Sequence, residues 1–332
     1  MIAGSVLVTG GAGFIGSHAV LALCDAGRDV VVIDDLSTGV REAVVREAPF
    51  HQGNVGDLAF VDSVLARHRI ESVMHFAGSI SAPESVADPA KYYRNNTCAS
   101  LALAQACLRR GVTRFVFSST AAVYGACATS PVSEDAPARP LSPYGASKYM
   151  TEMMLKDLAA AQPGFRPVCL RYFNVAGADP RGRSGQAGAE SIGLIRHAVE
   201  AALGQRPWLE IYGDDYDTRD GTGERDYIHV SDLAAAHLAT LDYLERGGPP
   251  VTLNCGYGRG YTVLEVIAAL ESLLGREIPQ CRTARRPGDP ASAVSDVSRM
   301  RATLDWTPRF TNLETILETA LAWHGQRAEV TS

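Results

Sequence analysis

The stretch Ser142-Pro143-Tyr144-Gly145-Ala146-Ser147-Lys148 holds the residue types that proton chemistry needs. Ser142 suits a helix N-cap, because its hydroxyl accepts from an otherwise unpaired backbone N–H, and Pro143 suits the first helical position. Tyr144 and Lys148 then project from one face, one turn apart. An ammonium beside a phenol favours the phenolate and draws the Tyr pKa down, which makes Tyr144 a general base near neutral pH. A Y-x-x-x-K spacing by itself is more often a surface pair than a site. Whether this one does chemistry depends on what the rest of the chain places beside it.

The N-terminal residues supply a first answer. Ser5 to Thr9 is a short apolar run that ends in Gly10-Gly11-Ala12-Gly13-Phe14-Ile15-Gly16. An amphipathic segment, Ser17 to Ala26, follows and stops at Gly27. A second apolar run, Asp29 to Ile33, ends in Asp34-Asp35. Strand, glycine turn, helix, strand and acid in this order make a dinucleotide-binding unit. Gly10, Gly13 and Gly16 give a tight turn and close backbone approach to a pyrophosphate at a helix N-terminus. Asp34 ends the second strand, where it accepts from adenosine ribose hydroxyls and repels a 2′-phosphate. The expected cofactor is therefore NAD rather than NADP.

The alternation continues. Strands are expected at Pro49–Gly53, Glu71–Phe76, Thr113–Ser118 and Val168–Tyr172, and helices at Leu58–His68, Tyr92–Arg110 and Tyr144–Ala161. This is an α/β chain with a doubly wound parallel (Rossmann) sheet, whose ligands sit at the carboxyl ends of the strands. Gly10–Gly16, Asp34, Phe76-Ala77-Gly78, Ser118–Thr120 and Asn174 all fall at such ends. Thr120 lies where a nicotinamide ring would be. Its hydroxyl can bond a substrate hydroxyl and pass the proton to Tyr144, while Lys148 bonds the nicotinamide ribose. A hydroxyl, a Tyr and a Lys beside NAD fit alcohol oxidation by hydride transfer. After Asn174 the character changes to a smaller, interwoven C-terminal α/β region. It has a long loop over 177–188, helices at Ser191–Leu203, Val230–Glu245 and Val263–Leu274, and short strands at Leu209–Tyr212 and Thr252–Asn254. Arg225, Arg285 and Arg286 stand there in loop-like contexts. The expected division is an NAD-binding part, 1–176 with a returning segment near 228–256, and a substrate part, 177–227 with 257–332.

Composition sets outer limits. The 332 residues are 46% hydrophobic and 20% charged, ordinary values for a water-soluble enzyme with a sizeable core. A net charge of −6 gives no general attraction to nucleic acid or anionic membrane. The seven cysteines are widely spaced with no C-x-x-C, the pattern of reduced thiols rather than a disulfide or zinc framework. No apolar run approaches a membrane span, so the expected location is the cytoplasm.

Several motifs in one order resemble a known family. VTGGAGFIGSH at 8–18, HFAG at 75–78, FSSTAAVYG at 117–125, SPYGASK at 142–148, LRYFNVAGA at 170–178, DGTGERDYIHV at 220–230 and RRPGD at 285–289 are similar to those of extended short-chain dehydrogenase/reductases. The closest resemblance is to the UDP-galactose (UDP-glucose) 4-epimerases, over about residues 5 to 325. It implies that Tyr144 takes the proton of the sugar 4-hydroxyl through Thr120, and that NAD takes and returns the C4 hydride. In between, the 4-keto sugar swings about its phosphate link. By the same resemblance Phe14 and Ile15 contact the pyrophosphate, Asp34, Asp35, Leu36, Ser37, Thr38 and Gly39 the adenosine ribose, and Asn54 and Val55 the adenine. Phe76, Ala77, Gly78, Asn95, Ser118 and Phe173 complete the cofactor contacts. Asn174, Leu194, Tyr212, Arg225, Arg286 and Asp289 contact the UDP-sugar. Arginines suit a diphosphate because the planar fork binds two oxygens. The helices around Asn95–Arg110 and Tyr144–Ala161 match those of a family homodimer interface.

Departures from the family pattern refine this expectation. Dehydratases of the superfamily carry an Asp-Glu pair where this chain has Ala121 and Ala122, which disfavours loss of water. Ile80 replaces a Lys near the cofactor phosphates, and Asn54 an Asp near the adenine. The loop over 182–193 is short, and Gly193 and Arg196 are atypical of the uridine side. Ala293 replaces a bulky wall beside the sugar 2-substituent, so UDP-N-acetyl sugars are expected to fit as well. The alternatives are a 4-epimerase of another UDP-sugar such as UDP-xylose or UDP-glucuronate, a net reductase, and a non-catalytic NAD-binding regulator.

Overall fold

The computed structural model of the chain describes residues 4–126, 129–188, 193–286 and 288–331. Seven strands form one parallel sheet: β1 (Ser5–Thr9), β2 (Val30–Asp34), β3 (Phe50–Gln52), β4 (Ile70–His75), β5 (Arg114–Thr120), β6 (Arg166–Tyr172) and, from much later in the chain, a strand at Val251–Cys255. Their order across the sheet runs from Val251–Cys255 through β6, β5, β4, β1 and β2 to β3. The order reverses between β1 and β4, and that switch point is where an open parallel sheet leaves a crevice for a ligand.

The continuous apolar character of these strands has a simple cause, since helices cover both faces. One face packs under α1 (Phe14–Asp25) and a later helix, Val230–Glu245, through Val8, Val20, Val32, Leu170, Leu233 and Leu253. The other packs under α2 (Leu58–Arg67), α5 (Ala99–Arg109) and α6 (Pro143–Ala161), through Leu7, Ile33, Val61, Leu103, Phe115 and Leu155. Between α2 and α5 lie two short helices, α3 (Ala82–Ala87) and α4 (Pro89–Tyr92).

The C-terminal region has its own core of Ile195, Val199, Leu209, Ile211, Val266, Leu270 and Ile316. After β6 the chain runs through β7 (Asn174–Ala176), α7 (Leu194–Ala202), β8 (Leu209–Tyr212) and β9 (Glu224–His229), then returns to the main sheet layer as α8 (Val230–Glu245) and β10 (Val251–Cys255, its seventh strand). These are followed by β11 (Gly260–Thr262), α9 (Val263–Leu274), β12 (Gln280–Thr283), β13 (Ser292–Ala293), α10 (Ser298–Thr303) and α11 (Leu313–Thr331). β7, β11 and β13 gather around β9, and β12 pairs with β8.

Three expectations change. The single helix expected over Tyr92–Arg110 is interrupted by a π-helical stretch, Tyr93–Cys98. Arg225 lies within strand β9 rather than in a loop. The helix expected from Ser191 starts at Leu194, with 191 and 192 outside the described residues. Six cysteines are free thiols, and Cys127 lies outside the described residues. Among the described residues no helix is long and apolar enough to cross a membrane.

Candidate active site

The start of α6 is capped as its sequence requires. The Ser142 hydroxyl accepts from Gly145 N–H at 3.3 Å, and Pro143 occupies the first turn. Gly145 lets this end of the helix press against the tight turn Ala121–Tyr124 that follows β5, where a Cβ would fall 2.6 Å from the Ala122 carbonyl oxygen. The approach brings the start of α6, and Tyr144 with it, to the end of β5, where the Thr120 hydroxyl acts on the phenol. Thr120 Oγ1 also accepts from Ala122 N–H at 3.1 Å, which fixes its rotamer. One turn on, Lys148 is buried, its ammonium donating to the Ser118 carbonyl at 3.0 Å and lying 5.0 Å from the Phe117 ring centre.

The electrostatics differ from the expectation of a lowered Tyr pKa. Burial pushes the Tyr144 phenol up, and the Thr120 hydroxyl opposes this only in part. Burial also brings Lys148 down to about 8. Desolvation, which disfavours whichever form is charged, sets the direction of both shifts, and the attraction read from the Y-x-x-x-K spacing is not among their causes.

The depressed Lys148 pKa has a consequence for stability. The folded chain holds that proton less tightly than the unfolded chain, so the buried ammonium costs stability in full below about pH 8 and less as pH rises toward the ordinary lysine value. Lys148→Met is therefore expected to raise the melting temperature at pH 7 relative to the parent. The gain should shrink between pH 8 and 10 in paired thermal melts. A gain that stays constant with pH would refute the assignment.

Behind the pair, the π-helical stretch has a visible function. It frees the Asn96 carbonyl from regular helix bonding, and that oxygen accepts from Ser100 Oγ and from Thr151 Oγ1 of α6, the latter at 3.0 Å. The Asn96 side chain accepts from Ser79 N–H at 2.8 Å and donates to the Ser79 carbonyl and to Ser147 Oγ, each at 3.0 Å. Ser147 sits between Tyr144 and Lys148, so Asn96 ties the first turns of α6 to the loop after β4. His75 continues the chain of contacts from Ser100 Oγ at 2.7 Å to Thr9 Oγ1 at 2.6 Å, with burial pushing its pKa down to about 3.

Thr9 leads into the glycine turn. Gly10 has φ +71°, and a Cβ there would lie 2.5 Å from the Ala77 amide nitrogen, so β1 and β4 meet without side chains between them. A Cβ on Gly16 would fall 2.1 Å from the Gly10 carbonyl oxygen, which sets α1 close against the turn. Gly13 caps α1 without a side-chain bond. First-turn N–H groups have no intrahelical acceptor, so those of Phe14 and Ile15 are available to an anion.

At the end of β2, Asp34 accepts from Ala12 N–H at 2.9 Å and Leu36 N–H at 2.8 Å, and each oxygen keeps a second lone pair for a ribose hydroxyl. Leu36 is held at φ +59°, an unusual conformation for a branched residue, within the 34–39 segment expected to surround the adenosine ribose. Asn54 is engaged within the protein: its oxygen accepts from Gly56 N–H at 2.8 Å and its amide donates to Asp35 at 3.1 Å. Any adenine contact falls to the second lone pair of that oxygen. Asn95 donates to Ser79 Oγ at 3.1 Å, Phe76 packs on His237, and a Cβ on Gly78 would lie 3.5 Å from Lys148 Nζ. Phe173 packs against Val123 and Tyr124 beyond Thr120. These residues form a cradle of bare backbone and helix N-terminus that fits a dinucleotide.

The expected substrate residues fall into a second group. The Arg225 guanidinium donates to the Asp289 carboxylate and to the Glu224 carbonyl. That of Arg286 lies 3.6 Å from the Tyr212 ring centre, and Tyr212 OH donates to Glu210 at 2.7 Å. Arg285 pairs with Asp215 instead. Ala293 on β13 is in register with Arg225 on β9. Leu141, just before α6, lies by Gly288, where a Cβ would fall 3.6 Å from its Cδ1. Asn174 sits on β7 opposite Tyr227, and Leu194 opens α7. Among the described residues no side-chain bond ties either of these two to the arginines. Arg196 is committed to Glu200 and the Gly188 carbonyl.

The fold and the two groups define a dinucleotide-binding enzyme of the Rossmann class, with a Thr-Tyr-Lys set at the sheet's carboxyl edge and Arg225 and Arg286 in the C-terminal region. Residues 6–256 match the NAD dependent epimerase/dehydratase family, and the chain belongs to that family. It is 56% identical over 318 residues to a UDP-glucose 4-epimerase of Azospirillum brasilense, covering 96% of this chain and 91% of that one. Among solved structures it is similar to the UDP-glucose 4-epimerase of Stenotrophomonas maltophila with bound NAD and formylated UDP-arabinopyranose. The TM-score is 0.95, with 37% identity over 99% of this chain and 100% of that one. It is likewise similar to the UDP-glucose 4-epimerase of Brucella ovis in complex with NAD, with TM-score 0.94 and 42% identity over 97% and 99% of the two chains.

Proposed function

We propose that the chain is an isomerase that interconverts UDP-glucose and UDP-galactose by transient oxidation at the sugar C4, with NAD as its cofactor. The observation that carries this is the placing of Tyr144 beside Thr120 at the carboxyl end of β5, where α6 presses on the turn Ala121–Tyr124, with Lys148 one turn further on and the glycine cradle alongside. When bound, NAD supplies a hydride acceptor and donor and, in its oxidised form, a positive ring. Tyr144 takes the proton of the 4-hydroxyl through Thr120 and returns it after the sugar has turned. Lys148 holds the Ser118 carbonyl edge of the cofactor side. Arg225, Arg286 and Asp289 hold the UDP part, together with Asn174, Leu194 and Tyr212, and leave the hexose free to rotate. Ala121 and Ala122 offer no carboxylate next to Thr120, which favours return of the hydride over elimination of water.

The proposal includes the division into an NAD-binding part (1–176 with 228–256) and a substrate part (177–227 with 257–332). It also includes a homodimer through α5 and α6, where Met150 and Met153 are each 41% exposed; sedimentation as a monomer only would remove that element.

The test is a panel of UDP-sugars. UDP-galactose should be converted to UDP-glucose with no net NADH, whereas cofactor consumption in proportion to product would make the chain a reductase. A broader specificity is favoured by Ala293, a half-buried methyl group opposite Arg225 where a bulkier ring would close the pocket. UDP-N-acetylgalactosamine should then turn over at a rate comparable to UDP-galactose. No turnover at millimolar concentration would sink that extension.

A further inference from the structure

The segment 179–188 falls in the part of the chain expected to serve the substrate, yet it lies against the glycine cradle. Its start is fixed from within, since Asp179 N–H donates to the Ser184 carbonyl at 2.9 Å and Gly182 N–H to the Asp179 carbonyl at 2.8 Å. Ser184 is fully buried, and its hydroxyl lies 2.8 Å from that of Ser17. Ser17 Oγ in turn donates to the Phe14 carbonyl at 3.0 Å. The segment thus meets the first turn of α1, whose N–H groups are available to an anion. Four residues further on, a Cβ on Gly188 would lie 3.0 Å from the Thr38 carbonyl oxygen, in the stretch that follows β2. That stretch is joined to the glycine turn. A Cβ on Gly39 would lie 2.9 Å from Ala12, and Val40 N–H donates to the Ala12 carbonyl at 3.0 Å. Residues 184–188 therefore run from one edge of the cradle to the other, a distance that four extended residues cover up to about 14 Å.

Two arginines hold this stretch from its two ends. Arg183 donates to both Asp179 oxygens, at 2.8 and 2.9 Å, and to both oxygens of Asp25 on α1, at 2.9 and 3.0 Å. Arg196 of α7 donates to the Gly188 carbonyl and is anchored on Glu200 at 2.6 Å. Between them the backbone is backed by α11. A Cβ on Gly185 would fall 2.5 Å from the Trp323 ring, and Trp323 Nε1–H donates to the Gln186 carbonyl at 3.3 Å.

We propose that residues 184–188 are the outer wall of the NAD site, over the pyrophosphate and adenosine ribose, and that Arg183 and Arg196 are positioning residues that keep the cofactor in place. The inference rests on the reading of the glycine turn as the NAD cradle. Epimerisation needs the hydride to return from the same cofactor that took it, so a wall that delays release serves the reaction directly. It also gives Arg196, atypical for the uridine side, a role on the cofactor side.

The test is the rate at which bound NAD in the full-length holoenzyme exchanges for radiolabelled NAD. Arg183→Met removes two partly exposed ion pairs and should speed exchange about 5- to 30-fold. Arg183→Lys, which keeps the charge but not the planar fork, should lie between the parent and Arg183→Met. Arg196→Met frees the other end of the wall and should speed exchange about 10-fold. Activity of both methionine variants should be lost on dilution sooner than the parent's and return when NAD is added. KM for the UDP-sugar should stay within about twofold of the parent value. A lowered melting temperature with exchange at the parent's rate would mean that the arginines only brace the fold, and would overturn the proposal. A raised KM with unaltered exchange would put the wall on the substrate side and overturn it too. A parent chain that holds no NAD would overturn the cradle reading and this proposal together. A parent that holds NAD, with both methionine variants exchanging as slowly, would overturn the proposal alone.

Discussion

Tyr144→Phe is expected to lower kcat for UDP-galactose by about 10²- to 10⁴-fold, the range that a positioned acid–base group contributes. The variant removes one oxygen and little else. The ring remains edge-on to Tyr92, 6.3 Å between centres, and α6 keeps its Ser142 cap. The Thr120 hydroxyl stays bonded to Ala122 N–H, so the strand end keeps its conformation. NAD content and melting temperature should therefore stay close to the parent values, and the defect should lie in turnover. The raised phenol pKa sharpens the expectation. In the parent the active base form grows with pH, so the acidic limb of kcat should rise toward alkaline pH and vanish in the variant. Near-full activity of Tyr144→Phe would remove Tyr144 from the chemistry altogether.

The position of Tyr144 was readable from the chain because helix capping and i, i+4 spacing are local. Its pKa was not, because the direction is set by burial. Desolvation depends on what α3, α4 and the π-helical stretch place over the phenol, and no local spacing encodes that. The same division holds elsewhere. Gly10, Gly13, Gly16 and Asp34 were legible as a set, since turn, helix start and strand end follow one another within 25 residues. Arg225 looked like a loop residue because the stretch Asp220-Gly221-Thr222-Gly223 runs straight into it, and it joins a strand through the partners of β9, which are β7, β11 and β13.

Asn96 illustrates a signal that was present but ambiguous. It neighbours Asn95 within a stretch whose periodicity reads as uninterrupted helix. The π-helical turn that makes its carbonyl useful is sustained by Ser100 and by Thr151 from another helix.

Arg171→Met is expected to destabilise the fold by about 3–5 kcal/mol, the cost of leaving one member of a buried ion pair without the other. The parallel register places Ser119 on β5, Arg171 on β6 and Asn254 on β10 in one line across the sheet, hence on one face. Glu152 comes down on that line from α6, one turn beyond Lys148. Arg171 and Glu152 are 8% and 6% exposed in their side chains. Arg171 Nε donates to both Glu152 oxygens, at 2.9 and 3.2 Å, and a terminal nitrogen donates to one at 2.6 Å. Ser119 Oγ donates to the same carboxylate, and Arg171 also donates to Tyr124 OH at 2.9 Å, which in turn donates to Asn254 at 2.6 Å. Truncating the arginine leaves a buried carboxylate facing one hydroxyl. Denaturant unfolding should register the loss, and a change below about 1 kcal/mol would show that the pair is not desolvated as described. The double variant Arg171→Met/Glu152→Leu separates two roles for the pair. Apolar replacement of a buried pair is often neutral, so most of the stability should return. If the pair also fixes the register of α6 against β5 and β6, kcat should remain low in the double variant, because Tyr144 and Lys148 ride on the same helix face. Recovery of both stability and kcat would mean that apolar packing alone places the catalytic turn.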